Sequence, residues 1–201
     1  MKLTKKQRYI LLGTVLGDAY LQKTGAKNAR LRLEHSGAQK KYLLWKVEEF
    51  PKLFQGKPKY MERIHPYTKK RYSYWRHQSS ATPELELWRK KFYVNNKKQI
   101  PEDFGKLLTD TLSLAVWYMD DGYYYEKDRN SYLYLGKVSE REAFIVQRTL
   151  EENFGIKSRI YNKKQKGFAI YFPVEETIKM HKMIKKYVLP LFDYKLSPSV
   201  K

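Results

Sequence analysis

The 201-residue chain carries 41 Lys and Arg against 21 Asp and Glu, a formal charge of +20 that points to a polyanionic partner. Cysteine is absent, which excludes disulfides, thiolate metal sites and thiol catalysis and is expected of an intracellular protein. No apolar run reaches the roughly eighteen residues of a membrane span and no N-terminal signal pattern is read, so a membrane partner is not expected.

The length suits one large domain or two small ones sharing a core. Residues 1–9 are basic and polar and lead into residues 11–20, LLGTVLGDAY, an apolar run without a polar face that suits a buried helix. Residues 19–23 read as a strand and 24–28 as a turn. Residues 29–35 alternate, with Arg30, Arg32 and Glu34 on one face and Leu31 and Leu33 on the other. Ser36 is expected to cap a helix over 39–50, with a stripe of Tyr42, Leu43, Val47 and Phe50. A second hairpin pairs 57–65 with 71–79, and Thr82-Pro83-Glu84 opens a helix to about Tyr93. Residues 95–101 read as polar loop and 102–108 as a short helix.

A second apolar run, residues 114–123 (LAVWYMDDGY), starts the plan again. Strands over 123–125 and 131–138 form a hairpin. Ser139 to Glu142 is a capping box opening a helix to Phe154, which Gly155 ends. A hairpin of 157–163 and 168–172 follows, and then a helix over 174–187 that stops near Pro190. In that hairpin Lys157, Arg159, Tyr161 and Lys163 share one face, while Phe168, Ile170 and Phe172 point inward. The repeat shows in the residues: ARLRLEHSGAQKKYLLWKVEEF lies over SYLYLGKVSEREAFIVQRTLEENF, and KQIP from Lys98 lies over KLSP from Lys195. A chain so duplicated divides into halves 1–101 and 102–201. Gly13 and Gly17, four residues apart, suit close approach of the apolar helices. Asp18 and Asp121 fall at helix C-termini, where the macrodipole is negative. A positive group is expected to compensate, with a divalent metal the obvious candidate.

LGDAY, FYVNNKKQIP, LAVWYMDDG and DYKLSP, in that order and spacing, resemble the paired motifs and flanking segments of the LAGLIDADG homing endonucleases. The resemblance covers nearly the whole chain. It implies an α+β fold, a pseudo-two-fold duplicated αββαββα with two curved antiparallel β-sheets forming a DNA-binding saddle. It also implies a monomer that hydrolyses both strands of double-stranded DNA at a long asymmetric site, leaving short 3′ overhangs. The implied cofactor is Mg2+; Mn2+ is expected to substitute, and Ca2+ to support binding without cleavage. By position, Asp18 and Asp121 are the metal-binding acids, and Lys98 and Lys195 are the basic residues flanking the site. The backbone carbonyls of Gly17 and Asp120 are reasonable extra ligands. Two departures from the motif stand out: Ala19 replaces glycine in the first run, and Val116, Trp117, Tyr118 and Asp120 are bulkier or more polar than usual in the second. Register decides between Asp120 and Asp121, and Asp121 is preferred. The alternatives are an RNA maturase assisting intron splicing, or a non-cleaving DNA-binding protein on the same fold; carboxylates in both runs favour cleavage.

Taken singly, these residues have plainer readings. Asp121-Gly122 is a common turn dipeptide, Asp18 suits an ion pair with a nearby lysine, and Lys98 and Lys195 sit in Lys-rich surroundings. Their pairing across the repeat is what favours a site. His35, His65, His77 and His181 lack ligand spacing and read as surface or packing residues. For DNA contact the outward strand positions are Lys23, Arg30, Arg32, Lys59, Arg63, Arg71, Arg76, Lys137, Lys157, Arg159 and Lys163. A two-stranded ribbon fits the major groove, where Arg reads guanine and Gln reads adenine. Other basic residues touch phosphate and position without specifying.

Overall fold

The computed structural model describes residues 2–201. The chain forms two compact units: Asp18–Lys91 with the segment up to Ile10, and Leu11–Gly17 with Phe92–Lys201. The first helix, α1 (Lys5–Leu16), starts inside the basic lead-in rather than at the apolar run, and so contributes to both. The reason is a capping box: Gln7 N donates to Thr4 Oγ1 at 3.2 Å, and Thr4 N donates to Gln7 Oε1 at 3.0 Å.

In the first unit, strands β1 (Tyr20–Thr24), β2 (Asn28–Ser36), β3 (Lys59–Ile64) and β4 (Arg71–Gln78) form an antiparallel sheet in the order β1-β2-β4-β3. Along β2 the expected alternation holds, with Ala29, Leu31 and Leu33 buried between half-buried polar neighbours. Helix α2 (Lys40–Glu48) is shorter than expected, because Ser36 pairs with Tyr74 and a 3-10 turn over Gly37–Gln39 comes before the helix. Its buried stripe is Tyr42, Leu43 and Lys46, with Val47 only half-buried. The i, i+4 spacing lays the Lys46 stem along Tyr42, with Nζ 4.3 Å from the ring centre, so the buried cation meets a π face. Thr82 caps α3 (Pro83–Phe92) as its sequence asks, its Oγ1 accepting from Leu85 N at 3.2 Å.

The second unit begins after α3 with a tight hairpin of β5 (Tyr93–Val94) and β6 (Lys97–Lys98), where the sequence suggested loop. Asn95 and Asn96 both take positive φ, 49° and 60°, the conformation a two-residue hairpin turn requires and Asn tolerates. A short helix, α4 (Phe104–Leu107), precedes α5 (Thr111–Asp121), in which every residue from Leu112 to Met119 is buried. Strands β7 (Gly122–Tyr125), β8 (Asn130–Gly136), β9 (Arg159–Asn162) and β10 (Phe168–Phe172) repeat the topology of the first sheet, in the order β7-β8-β10-β9. Helix α6 (Glu140–Phe154) has the full capping box at Ser139 and ends on Gly155 at φ 63°. A bulge between Phe168 and Ala169 leaves Phe168 half-buried, while Ile170 and Phe172 are buried as expected. After α7 (Val174–Ile184), a 3-10 turn over Lys185–Tyr187 replaces the last helical turn expected there. The chain then forms a 3-10 helix over Pro190–Lys195 that the sequence did not announce.

Within this unit Leu11–Leu16 packs on α5 through Gly13. A Cβ at Gly13 would stand 2.4 Å from Ser113 O and 2.7 Å from Val116 Cβ, so the helices approach too closely for any side chain. Gly13→Ala is therefore expected to cost about 1–3 kcal/mol, the usual range for overpacking. Urea unfolding would show it as a lower midpoint; an unmoved midpoint would mean the helices have room to separate.

Candidate active site

Helices α1 and α5 each end with backbone carbonyls that lack helical partners. A lysine serves each end. Lys98 Nζ donates to Leu16 O at 2.7 Å and Gly17 O at 2.8 Å. Lys195 Nζ donates to Met119 O at 2.6 Å and Asp120 O at 3.2 Å. At both helix ends an ammonium acts as cap and dipole partner, beside the acid for which the sequence suggested a metal. Their bonding also sets a register: Leu16 corresponds to Met119, Gly17 to Asp120, and Asp18 to Asp121.

The two lysines are supported differently. Lys98 is exposed on β6 and is held by the Asn95-Asn96 turn. Lys195 is only 7% exposed, and its carbonyl accepts from the Tyr118 hydroxyl at 2.9 Å. That hydroxyl lies 3.1 Å from Ser131 Oγ and 3.0 Å from His181 Nε2, while Ser197 N donates to His181 Nδ1 at 2.9 Å. Because Nδ1 accepts, a neutral His181 carries its proton on Nε2. Burial pushes the His181 pKa down to about 4 and holds the Tyr118 phenol well above its ordinary value, so both are neutral at pH 7. His181 is thus a packing residue, as the sequence suggested, but one tied to Lys195.

Asp18 follows α1 after Gly17 and keeps 44% of its side chain exposed. His35, only 3% exposed, brings Nδ1 to 3.7 Å from Asp18 Oδ2. Sequence reasoning did not connect these two residues. The hairpin register does contain the signal: Tyr20 pairs with Arg32, so two residues back Asp18 comes level with Glu34, beside His35. Asp120 and Asp121 are both half-buried at the end of α5. The Asp120 side chain fills the space at Gly17, where a Cβ would fall 2.3 Å from Asp120 Oδ2. The Gly17 and Asp120 carbonyls, expected as extra metal ligands, each accept a hydrogen bond from a lysine ammonium.

Of the expected DNA-contacting residues, Arg30, Arg32, Lys59, Arg63 and Arg76 share one face of the first sheet, with Gln22 and Gln78. Lys23 and Arg71 do not. Lys23 pairs with buried Ala29, and Arg71 pairs with Ile64 and bonds Glu62 at 3.0 Å, which places both on the opposite face. There Lys23 acts with Arg89 and Lys90 on buried Glu86, whose carboxyl is held below its ordinary value first by the Arg89 hydrogen bond. In the second sheet Arg159 lies on β9, while Lys137, Lys157 and Lys163 flank the strands. No helix among the described residues is long and apolar enough to cross a membrane.

Two antiparallel sheets of one topology, with buried helices that end in carboxylates, define an endonuclease class already solved on DNA. The chain is similar to the homing endonuclease I-WcaI bound to its DNA recognition sequence, with a TM-score of 0.90 and 27% identity, covering 98% of this chain and 88% of that one. The LAGLIDADG DNA endonuclease family model matches residues 8–180, and the chain belongs to that family. It is 29% identical over 199 residues to a probable intron-encoded endonuclease 1 of Wickerhamomyces canadensis, covering 96% of this chain and 85% of the relative. It is also 26% identical over 212 residues to a RecA protein of Mycolicibacterium flavescens, covering 98% of this chain; the chain spans about half of that relative's length, 48%.

The depressed pKa of His181 makes stability pH-dependent. Below its ordinary value of 6.5 the unfolded chain binds a proton that the folded chain refuses until about pH 4. Stability is therefore present above pH 6.5 and is lost on going down to pH 4, by about 3 kcal/mol at most. Urea midpoints across that range would fall for the native protein and fall less for His181→Gln; equal slopes would mean that another group is responsible.

Proposed function

We propose that the chain is a site-specific, metal-dependent DNA endonuclease that cuts both strands of a long asymmetric duplex target, acting as a monomer. The observation that carries this reading is the twofold use of one arrangement. A buried helix, capped by a lysine on its last carbonyls, leaves a carboxylate at the next step, Asp18 in one case and Asp121 in the other. Acting on genomic DNA makes its place of action intracellular.

Asp18 and Asp121 would each hold a metal, and their hard oxygen donors suit Mg2+, which keeps several waters and takes one or two carboxylates with substrate phosphate. When bound, the metal supplies an acidified water and neutralises charge on the phosphate. The chain's own residues do the rest. Lys98 and Lys195 hold the helix ends neutral and keep their ammonium groups at the acids' root, where they counter charge developing on phosphate. Arg30, Arg32, Lys59, Arg63, Arg76 and Arg159 bind and orient the duplex, some on base edges and some on phosphate.

Cleavage of a randomised duplex library with Mg2+, followed by sequencing of the ends, tests activity, overhang and specificity together; no recovered cut site would sink the reading. Asp18→Asn and Asp121→Asn are each expected to slow cleavage more than about 100-fold while leaving binding in Ca2+ nearly unchanged. Full cleavage by Asp121→Asn with loss in Asp120→Asn would move the metal to Asp120. Lys98→Ala is expected to slow cleavage more than it weakens binding; equal effects would make Lys98 a phosphate contact.

A further inference from the structure

The open faces of the two sheets, each taken by itself, carry different chemistry. In the first sheet, Arg30, Arg32, Glu34, Arg76 and Gln78 share a face with Tyr20, Tyr72 and Tyr74, and the charged and amide side chains engage one another. Arg30 Nη1 donates to Gln78 Oε1 at 3.2 Å, and Arg32 and Arg76 both reach Glu34. In the second sheet the corresponding face is dominated by a cluster of tyrosines, with Arg159 at its edge. Pairing sets Tyr123 opposite Tyr132, Tyr132 opposite Tyr171, and Tyr171 opposite Arg159. The two-residue strand period adds Tyr125, Tyr134 and Tyr161. The rings form one cluster around Tyr132, with centroids 5.3 Å to Tyr125, 5.1 Å to Tyr171, 5.8 Å to Tyr161 and 6.3 Å to Tyr134. Lys163 Nζ sits 4.2 Å from the centre of the Tyr134 ring.

This cluster is not core. Leu133, Ile170 and Phe172, on the other side of the same strands, are fully buried, whereas Tyr123, Tyr125 and Tyr161 are 45%, 38% and 51% exposed. The Tyr125 and Tyr134 hydroxyls lie 3.4 Å apart. That hydrogen bond, with burial, holds the Tyr125 phenol above its ordinary value, and burial does the same for Tyr132, so both are neutral hydroxyls.

We infer that the second sheet reads its part of the target mainly through thymine methyl groups and groove shape, while the first reads through paired hydrogen bonds to base edges. The inference rests on the DNA-binding part of the proposed function and not on cleavage. Arg and Gln forks match guanine and adenine edges two bonds at a time, and apolar side-chain atoms meet the thymine methyl. A phenol offers one hydroxyl, so it cannot make a bidentate pair. Its rigid ring does offer a broad apolar surface at low entropic cost, as aromatic residues do at other recognition surfaces.

The test selects the full chain on a randomised duplex library by binding in Ca2+, so a failure to cleave leaves the readout intact. Every thymine of the selected site is then replaced by deoxyuridine, one half at a time. Binding is expected to weaken about tenfold for one half and less than about twofold for the other, roughly the loss of two methyl contacts. The sensitive half should be the one whose base preference disappears in a Tyr132→Ala, Tyr171→Ala variant and survives in Tyr132→Phe, which keeps the ring. Equal sensitivity of both halves, insensitivity of both, or loss of preference in the sensitive half on Arg30→Ala and Arg76→Ala would overturn the inference. Recovery of no preferred sequence would overturn both it and the DNA-recognition reading.

Discussion

The structure depends on one interaction used twice: an ammonium that accepts the burden of a helix C-terminus. A carboxylate next to the last carbonyls of a helix adds negative charge where the macrodipole is already negative, an arrangement unfavourable by roughly 0.3–1 kcal/mol. Hydrogen bonds to a charged group are worth about 1.5–3 kcal/mol each. Lys98 makes two to Leu16 and Gly17, and Lys195 makes two to Met119 and Asp120, so the lysines outweigh the cost. The acids that follow are therefore held on neutralised helix ends.

The same clamp is reached from two scaffolds, which separates what the clamp needs from what each unit supplies. Lys98 rides on a two-residue hairpin whose turn depends on two Asn residues at positive φ. Lys195 rides on a 3-10 helix fastened by Tyr118, Ser131 and His181 in the interior. Removing one member of the interior network would leave buried polar groups short of partners, at about 1–3 kcal/mol each. The supports of the Lys195 clamp are thus spread over α5, β8 and α7.

Much of this was legible in the sequence, and the exceptions have physical causes. The duplicated plan, the buried runs, the Ser139 capping box and the alternation along β2 are local signals, and local signals survive folding. What local pattern does not carry is which partner a group finds. The sequence marked Lys98 and Lys195 but not their bonding to helix carbonyls, because each lies some 75 to 82 residues from its acceptors. It grouped Lys23 and Arg71 with the DNA-facing positions because basic residues usually point to water; both do, but strand register puts them on the opposite face of the sheet. Lys46 was overlooked for the same reason, its stem being long enough to bury while its charge meets Tyr42. His35 was legible only in the register of β1 on β2, since no ligand spacing in the sequence links it to Asp18.

Register also explains why the two runs end differently. The lysine bonding makes Gly17 the counterpart of Asp120, so a glycine in one run stands where an acid stands in the other. The structure uses that difference directly, since the Asp120 carboxylate occupies the space a side chain at Gly17 would need. Two side chains at this step would collide, and two glycines would leave a void beside a close-packed helix pair. One of each fills it. Asp120 therefore has a packing reason to exist, apart from any chemistry, and Asp18 and Asp121 remain the acids at matching steps beyond their lysine clamps. The asymmetry of the motifs is in this sense a consequence of how tightly the first run lies against α5.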